Sequence, residues 1–488
     1  MTSITAGHSM TTSLTAIPKL TLVFKSPHFP SPSSSSRSSF SLFASNSTTT
    51  RAQMSSQSFP QNRVIVGVGG LGLDFLATVA TYPNPDDKIR STSAKRSAVQ
   101  NMNNDIPHVG FPITYVVQGG GNAGNALTCA ARLGLFPRII SKIASDPQGQ
   151  GILEELKADG VNTTFLVMSK EGNSPFTYVI VDSQTKTRTC IHSPGYPPLI
   201  PEDLSPSKIS SALDGARLLY SDARLPEIAL LLAREASYSF ATRIGIPLLI
   251  DAERKREGLD DLLNLASYVV CASKFPQSIL ASIAQESFRS CRNGELEKNI
   301  ARPSYRLLMM LRVYTEAPSI PSALVSILLR LPNIKFVIVT LGEEGCMMLQ
   351  RSENGDPGLE EINVDSLLES LKQRRDNDSA IPACYSSPVK RLTASGIGTL
   401  SGRLFVGTAE KVPQSELVDT TGAGDAFIGA VLYALCTDMP PEIMLPFAAQ
   451  VAALGCRALG ARTGLPRFSD PRLAPFLHHQ TSQMATAS

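Results

Sequence analysis

Short β-branched runs alternate with helix-like segments along most of this chain. The first run, VIVGVGG, follows Arg63, and later runs occupy residues 137–143, 176–182, 217–222, 246–252, 268–273 and 335–342. Helix-like segments at 152–160, 228–236 and 427–435 lie between several of them. The alternation predicts an α/β fold with a central, mostly parallel, Rossmann-like sheet flanked by helices. The stretch FTYVIVDSQTKTRTCIH differs, because its alternating polarity predicts an antiparallel hairpin outside the main sheet.

The first 62 residues differ in composition from the rest of the chain. Ser and Thr supply 26 of the first 60 positions, and the first acidic residue is Asp74. A Ser-rich, acid-free and weakly basic segment is typical of an organelle transit peptide. Because arginine is scarce, we expect the chloroplast. The alternatives are the mitochondrion, a cytosolic form that starts at Met54, or an ordinary disordered tail. We also expect residues 476–488 to be a disordered tail.

Three long stretches fit the alternating pattern badly. They are residues 96–115, 278–314 and 351–402. Loops of this length are uncommon in compact domains. We therefore predict three insertions, and we expect the polar segment 351–402 to be a surface excursion.

Charge and composition exclude several classes of function. The net charge is +3, which gives no argument for a nucleic-acid partner or an anionic membrane. The sequence contains no run of about 18 apolar residues, so it predicts no membrane-spanning helix. The eight cysteines and six histidines are scattered without a metal-ligand spacing, so we assign no zinc held by the protein.

One glycine motif is misleading. The segment from Gly67 to Gly72 satisfies the dinucleotide pattern GxGxxG after a strand. That pattern also needs a following helix, and the sequence YPNP at 82–85 breaks any helix there. We therefore reject a nicotinamide cofactor.

A second glycine motif, QGGGNAGN, begins at Gln118. Three glycines end an extended segment, and Asn122 and Asn125 lie on one side of the helical turn that follows. Two amides that both donate and accept hydrogen bonds suit a polyhydroxylated ligand. An N-capping Asn beside a turn glycine is the alternative.

A third motif, DTTGAGDAF, leads from a turn into an apolar helix. Gly422, Ala423 and Gly424 would present backbone N–H groups at a helix start, which suits a transferring phosphoryl group. Asp425 would take the proton from an attacking hydroxyl. Asp419 lies six residues earlier and would hold a cation or fix the loop.

Together, GGGNAGN and DTTGAGDAF resemble the two signatures of the ribokinase/PfkB carbohydrate kinases. The resemblance covers roughly residues 63–475 outside the predicted insertions and is closest to ketohexokinase-like members. It implies a ribokinase-like fold with a nine-stranded core. It also implies a small β-sheet lid, formed from about 74–94 and 174–194, that often serves as a homodimer interface.

The resemblance also implies roles for individual residues. Asp425 would be the catalytic base, and Gly422, Ala423 and Gly424 the anion hole. The sugar would contact Asp74, Gly121, Asn122, Asn125 and Arg224. ATP would contact Thr340, Gly342, Gly345, Gln450 and Cys456. A monovalent cation such as K⁺ would bind at Asp419, Thr421, Gly455, Gly460 and Gly464.

The chain departs from many relatives in its metal-handling segment. The element NxxE, which many members use near Mg²⁺, is replaced by ASKFP at 272–276. Magnesium would then depend on Asp251, on Glu253 or on water.

We predict ATP- and Mg²⁺-dependent phosphorylation of a hydroxyl of a ketohexose or pentose. The alternatives are a nucleoside kinase of the same fold and a catalytically inactive, kinase-like partner protein in a plastid complex. The intact GAGD segment favours an enzyme, whereas the two inserts at 96–115 and 278–314 favour disturbed function.

Overall fold

The computed structural model describes residues 63–89, 91, 116–237, 245–273, 275–276, 317–353, 358–376 and 378–477. The predicted transit peptide and the predicted insertions 96–115 and 278–314 lie outside these residues. Residues 478–488 of the predicted tail also lie outside the described part of the chain, whereas residues 476 and 477 are described. One of these two, Phe476, is buried and packs in the core, so the folded part extends further than expected.

Seventeen strands and nine helices are described. The strands are β1 (Val64–Val68), β2 (Gly72–Val79), β3 (Val116–Gly120), β4 (Phe136–Ile140), β5 (Lys142–Ala144), β6 (Val167–Ser169), β7 (Phe176–Asp182), β8 (Arg188–Ser193), β9 (Leu218–Ser221), β10 (Leu248–Ala252), β11 (Tyr268–Ala272), β12 (Phe336–Thr340), β13 (Cys346–Arg351), β14 (Glu361–Asn363), β15 (Cys384–Ser386), β16 (Lys390–Ala394) and β17 (Gly398–Gly407). The helices are α1 (Asn122–Arg132), α2 (Pro147–Ala158), α3 (Pro206–Leu213), α4 (Pro226–Ser237), α5 (Leu259–Leu265), α6 (Ile320–Arg330), α7 (Val364–Gln373), α8 (Ala423–Cys436) and α9 (Pro441–Gly455).

The main sheet contains eleven strands. Its order is β14-β16-β17-β13-β12-β11-β10-β9-β1-β4, and β15 pairs with β17. The strands from β4 to β12 in this order are parallel, and those from β12 through β13 and β17 to β16 are antiparallel. The parallel part consists of short apolar runs that are buried on both faces, as the β-branched sequence pattern predicts.

Helices cover both faces of this sheet. One face packs against α3, α4, α5, α6 and α7, and the other packs against α1, α2, α8 and α9. Alternate residues of β1 show the division, since Ile65 belongs to one apolar cluster and Val66 to the other. None of the described helices is long and apolar enough to cross a membrane.

A separate four-stranded sheet forms the lid, in the order β3-β2-β7-β8. The hairpin of β7 and β8 is antiparallel, as its alternating polarity indicates. The segment GVGGLG runs from the end of β1 to the start of β2, so it leads into a strand. In the dinucleotide-binding arrangement this pattern leads into a helix instead.

The segment 351–402 is not a surface excursion, and this expectation was wrong. Its described residues form β14, β15, β16 and the start of β17, which extend the main sheet beyond nine strands. Helix α7 buries Val364, Leu367, Leu368 and Leu371 against the sheet. These apolar residues recur at helical spacing inside an otherwise polar segment, so the segment's overall polarity concealed an amphipathic helix.

Candidate active site

A cavity of about 720 Å³ opens at the carboxyl ends of β1, β9, β10 and β12, beneath the lid. In open α/β sheets, ligands bind at this edge. The helices α1 and α8 begin at the same place, and the lid strands β2, β7 and β8 contribute side chains from the other side. The cavity brings together Asp74, Gly121, Asn122, Asn125, Arg224, Thr340, Thr421, Gly422, Gly424 and Asp425.

The predicted anion hole lies at the start of α8. Gly422 has a φ of 74° and precedes the first helical residue, Ala423. A Cβ on Gly422 would lie 2.5 Å from the Cβ of Ala461, so the close approach of the neighbouring loop requires glycine. A Cβ on Gly424 would meet no heavy atom within 4 Å. The packing of the protein therefore does not require glycine at 424, where the first turn faces the cavity, and a helix start of this kind suits an anion. The predicted anion-hole residue Ala423 is outside the described lining, and its N–H donates a 3.3 Å hydrogen bond to the carbonyl oxygen of Thr420.

Asp425 lies in the first turn of α8, three hundred residues from its partner in α1. Its Oδ2 accepts a 2.8 Å hydrogen bond from Nδ2 of Asn125. Burial raises the pKa of Asp425 to about 7, although the hydrogen bond from Asn125 and the charge of Arg188 lower it. A carboxylate with a pKa near neutrality combines a useful ionised fraction with the basicity needed to accept a proton.

The two asparagines of α1 are already held by the protein. Oδ1 of Asn122 accepts a 3.2 Å hydrogen bond from Nη2 of Arg224. Oδ1 of Asn125 accepts one of 2.9 Å from Nε of Arg462. Because a primary amide offers two N–H groups and two lone pairs, each side chain keeps hydrogen-bonding capacity toward the cavity.

Sequence reasoning missed Asp222, which fixes the start of α1. Its Oδ2 accepts hydrogen bonds from the backbone N–H of Gly70 at 2.7 Å and of Ala123 at 3.1 Å. Its Oδ1 accepts a third, of 3.0 Å, from the backbone N–H of Arg224. A Cβ on Gly69 would lie 2.1 Å from this carboxylate. The glycines after β1 therefore make room for a buried acid that caps a helix.

Asp74 on β2 points into the cavity from the lid. A Cβ on Gly120 would lie 2.3 Å from its carboxylate, so that glycine makes room for it. Burial raises the pKa of Asp74 to about 6, whereas the charge of Arg462 and a hydrogen bond from Thr177 lower it.

Sequence reasoning also missed Arg462, a buried arginine behind these residues. Besides its bond to Asn125, its Nη2 donates a 2.9 Å hydrogen bond to the carbonyl oxygen of Gly120. Its Nη1 lies 3.5 Å from Oε2 of Glu155. Only 3% of the Arg462 side chain is exposed. Its guanidinium group therefore joins the C-terminal loop to the glycine segment and to α1.

The triple-glycine segment serves this arginine as well as the cavity. A Cβ on Gly119 would lie 2.2 Å from Nη1 of Arg462, and one on Gly124 would lie 2.4 Å from its Nη2. The motif QGGGNAGN predicts a ligand-binding turn. The contacts show that Gly119 of the triple glycine and Gly124 of α1 accommodate a side chain of the protein itself.

A lid arginine, Arg188 on β8, approaches the anion hole. Its Nη1 donates a 3.3 Å hydrogen bond to Oγ1 of Thr420, and the side chain lines the cavity. Alternate residues of β8, namely Arg188, Cys190 and His192, all line the cavity. The alternation in TKTRTCIH would have identified this inward face.

The predicted ATP-binding residues lie mostly away from the cavity wall. Thr340, at the end of β12, lines the cavity. Gln450 is buried and donates a 2.8 Å hydrogen bond to Glu410. The carbonyl oxygen of Cys456 accepts hydrogen bonds from the loop before the anion hole. Four of the five are outside the described lining: Gly342, Gly345, Gln450 and Cys456.

The predicted cation loop is assembled around Asp419, which is fully buried. Its Oδ1 accepts hydrogen bonds from the backbone N–H and the hydroxyl of Thr421, at 2.9 and 2.7 Å. Its Oδ2 accepts one from the backbone N–H of Gly460 at 2.8 Å. A Cβ on Gly464 would lie 2.5 Å from the carbonyl oxygen of Gly455. Asp419 therefore fixes the loop through both carboxylate oxygens.

The chain is similar to a family of known proteins and to solved structures of the same fold. The sequence pattern of the pfkB family carbohydrate kinase matches residues 109–285 and 399–467. Mouse (Mus musculus) ribokinase is 22% identical over 381 residues, which cover 77% of this chain and 91% of that protein. Thermotoga maritima ribokinase has a similar structure, with a TM-score of 0.53 and 18% identity over 85% of this chain and 99% of that one. The structure of ribokinase from Cryptococcus neoformans var. grubii in complex with ADP is also similar. Its TM-score is 0.50 and its sequence identity is 16%, over 86% of this chain and 99% of that one.

The fold and the family match define a phosphotransferase with an alcohol group as acceptor. The chain belongs to the PfkB carbohydrate kinase family. It has the ribokinase-like α/β fold.

A test of the anion hole follows from the open space at Gly424. We expect Gly424→Ala to leave the melting temperature unchanged or slightly higher, because alanine favours a helix by up to about 1 kcal/mol over glycine. We expect kcat/KM to fall at least tenfold, because the new methyl group occupies the approach to the N–H groups. Calorimetry and a coupled ADP assay measure the two effects.

The matched control is Gly429→Ala on the same helix. There a Cβ would lie 2.5 Å from the Cβ of Cys129 and 2.7 Å from the carbonyl oxygen of Ala126, so we expect a lower melting temperature. Full activity of Gly424→Ala would show that phosphate does not approach this turn.

Proposed function

We propose that this protein transfers the γ-phosphoryl group of ATP to a hydroxyl of a sugar, with Asp425 as the general base. The observation that carries the proposal is the position of Asp425. It lies at the N-terminal turn of α8 and accepts a hydrogen bond from Asn125, inside a cavity covered by the lid. A base and an anion-binding turn are thus adjacent, as phosphoryl transfer to a hydroxyl requires.

The bonds change as follows. The acceptor O–H bond breaks, and its proton moves to the Asp425 carboxylate. The acceptor oxygen bonds to the γ-phosphorus while the bond from that phosphorus to the β–γ bridging oxygen breaks, releasing ADP. The N–H groups of Gly422 to Gly424 and the guanidinium group of Arg188 stabilise charge on the transferring group. Asp74, Asn122 and Asn125 orient the acceptor, and the lid excludes water.

Magnesium accompanies ATP in this proposal and would balance phosphate charge. The residues here do not fit a magnesium site made by the protein. Burial and the charges of Asp425, Asp222 and Glu253 raise the pKa of Asp251 well above its ordinary value, which disfavours the ionised form that would bind a cation. The carboxylate of Glu253 is bound by arginines. Among the described residues, no group of three or more His, Cys, Asp or Glu is placed to hold a metal ion. Magnesium would therefore be held mainly by nucleotide phosphates and water.

The deciding experiment measures ADP release by residues 63–488 with fructose, ribose, D-ribose 5-phosphate, D-gluconate, adenosine and inosine. We expect turnover with a sugar, and we expect Asp425→Asn to lower kcat/KM at least about 100-fold because the base is lost. Turnover with a nucleoside alone would change the substrate class. A folded protein with no turnover on any acceptor would support the inactive partner, and equal rates for the variant would exclude Asp425 as the base.

The raised pKa of Asp425 has two consequences for pH dependence. Only the ionised carboxylate accepts a proton, so kcat/KM should rise with pH through an apparent pKa of about 7. The folded-state pKa exceeds the unfolded value of about 4, so ionising Asp425 costs stability as pH rises from about 4 to 7. Asp425→Asn should therefore gain on the order of 1–2 kcal/mol over the parent at pH 8, discounted for partial solvent contact, and little at pH 4.5. Urea unfolding at both pH values measures the difference.

We also propose a homodimer through the outer face of the lid. Val117, Phe75, Tyr178 and Ile191 form one row across its four strands. Tyr178 and Ile191 are 50% and 57% exposed, and an apolar row of this kind favours association. In sedimentation velocity we expect the protein to have twice the mass of the monomer, and we expect Tyr178→Lys to reduce this to the mass of one monomer. Met168→Lys, at an exposed apolar position outside the lid, is the control.

Residues 1–62 are proposed to direct the protein to the chloroplast, on the composition argument. A fluorescent protein fused behind these residues should accumulate in plastids in leaf cells, and a fusion that begins at Met54 should remain in the cytosol. Accumulation in mitochondria would contradict the proposal.

A further inference from the structure

Three arginines surround one glutamate at the acceptor side of the cavity. Glu253 lies 3.3 Å from Nη2 of Arg224, 3.1 Å from Nη2 of Arg254 and 3.5 Å from Nη2 of Arg256. Although burial raises the pKa of Glu253, the hydrogen bond from Arg254 and the arginine charges hold it below its ordinary value. The carboxylate is therefore ionised, and the cluster of these four residues carries a net charge of +2 from three arginines and one glutamate.

All four residues of this arginine cluster line the cavity that contains Asn122 and Asp425. They follow β9 and β10, and Arg224 contacts the amide of Asn122. Thr340, on the predicted nucleotide side, ends β12, which is separated from β9 by β10 and β11. At about 4.8 Å per strand, the nucleotide side begins roughly 14 Å from Arg224. The cluster therefore lies on the acceptor half of the cavity.

Strand β8 of the lid also has one polar side chain near the anion hole and another on the acceptor half of the cavity. Arg188 reaches the loop before the anion hole. His192, four residues further along the strand, is about 13 Å away at the usual strand rise. His192 lines the same cavity as the cluster, and burial and then the charges of Arg224 and Arg256 lower its pKa. A neutral His192 is available as a hydrogen-bond donor or acceptor there, and its Nδ1 lies 3.2 Å from Oγ1 of Thr177.

The transferring phosphoryl group accounts for Arg188 and the anion hole but not for the arginine cluster. Asp222 also acts on Arg224 and Arg256, but the three arginines still outnumber Glu253 and Asp222. A neutral sugar would leave this excess positive charge beside the substrate, which is unfavourable once the lid excludes water. An oxyanion placed between the cluster and His192 would balance this charge and could accept paired hydrogen bonds from a guanidinium group.

We propose that the acceptor is an anionic sugar derivative. Its carboxylate or phosphate binds Arg224 and Arg256, at the end of the molecule opposite to the hydroxyl that Asp425 deprotonates. The inference rests on the proposed kinase function and narrows its substrate class. The reaction is unchanged: the acceptor hydroxyl gains the phosphoryl group, ADP leaves and one proton goes to Asp425.

The test compares matched acceptors of both anion types. The pairs are D-gluconate with D-glucitol, and D-ribose 5-phosphate with D-ribose. We expect kcat/KM to be at least tenfold higher for the anionic member of one pair, and the responding pair shows whether the anion is a carboxylate or a phosphate. Arg256→Gln should lower this anionic preference at least tenfold and change the KM for ATP less than twofold. Arg256→Lys, which keeps the charge, should retain part of the preference.

The control is Arg234→Gln on the exposed side of α4, which removes the same charge outside the cavity and should leave the preference unchanged. Equal or better turnover of the neutral members would overturn this inference and leave the kinase function standing. A large rise in the KM for ATP in Arg256→Gln would also overturn it, because the arginines would then serve the nucleotide. No turnover with any acceptor would instead contradict the proposed function itself.

Discussion

The buried guanidinium group of Arg462 is the contact on which the geometry of the site depends. It binds the Oδ1 of Asn125, whose Nδ2 in turn binds Asp425. The same group holds the carbonyl oxygen of Gly120 and lowers the pKa of Asp74. A buried cation is costly unless its hydrogen bonds and counter-charges are in place. Asp425 and Asn125 therefore belong to one chain of hydrogen bonds that begins at this buried charge.

This requirement changes the physical meaning of the glycine motifs. Glycine-rich segments beside phosphate sites are usually explained by the close approach of a ligand. Here Gly119 and Gly124 admit Arg462, and Gly69 admits the carboxylate of Asp222. Gly424 alone among these faces open space in the cavity. Of these four glycines, Gly69, Gly119 and Gly124 make room for side chains of the protein, whereas Gly424 leaves space in the cavity that a ligand could occupy.

The sequence predicted the parallel half of the sheet and the central pair of the site, and it failed where contacts are long-range. Buried apolar strands and the motifs at Asn125 and Asp425 are local patterns, which can be recognised from the sequence without a structure. Arg462 stands 337 residues from the amide that it holds, in a loop without periodicity. Asp222 was passed over for the neighbouring Arg224, because capping of a distant helix leaves no local signal. The polar segment 351–402 hid the four buried residues of α7 for a related reason, since average polarity masks periodicity.

Two acids in the cavity show why the environment, rather than residue type, selects the base. Asp251 and Asp425 both line the cavity, and burial raises the pKa of each. The negative charges of Asp425, Asp222 and Glu253 raise the pKa of Asp251 further, and a hydrogen bond from Asn122 lowers it only in part. Asp425 receives a hydrogen bond from Asn125 and the field of Arg188, which return its pKa to about 7. An asparagine amide lowers the pKa of each acid, but the charge of the lid arginine lowers only that of Asp425, so the two carboxyl groups differ through their surroundings.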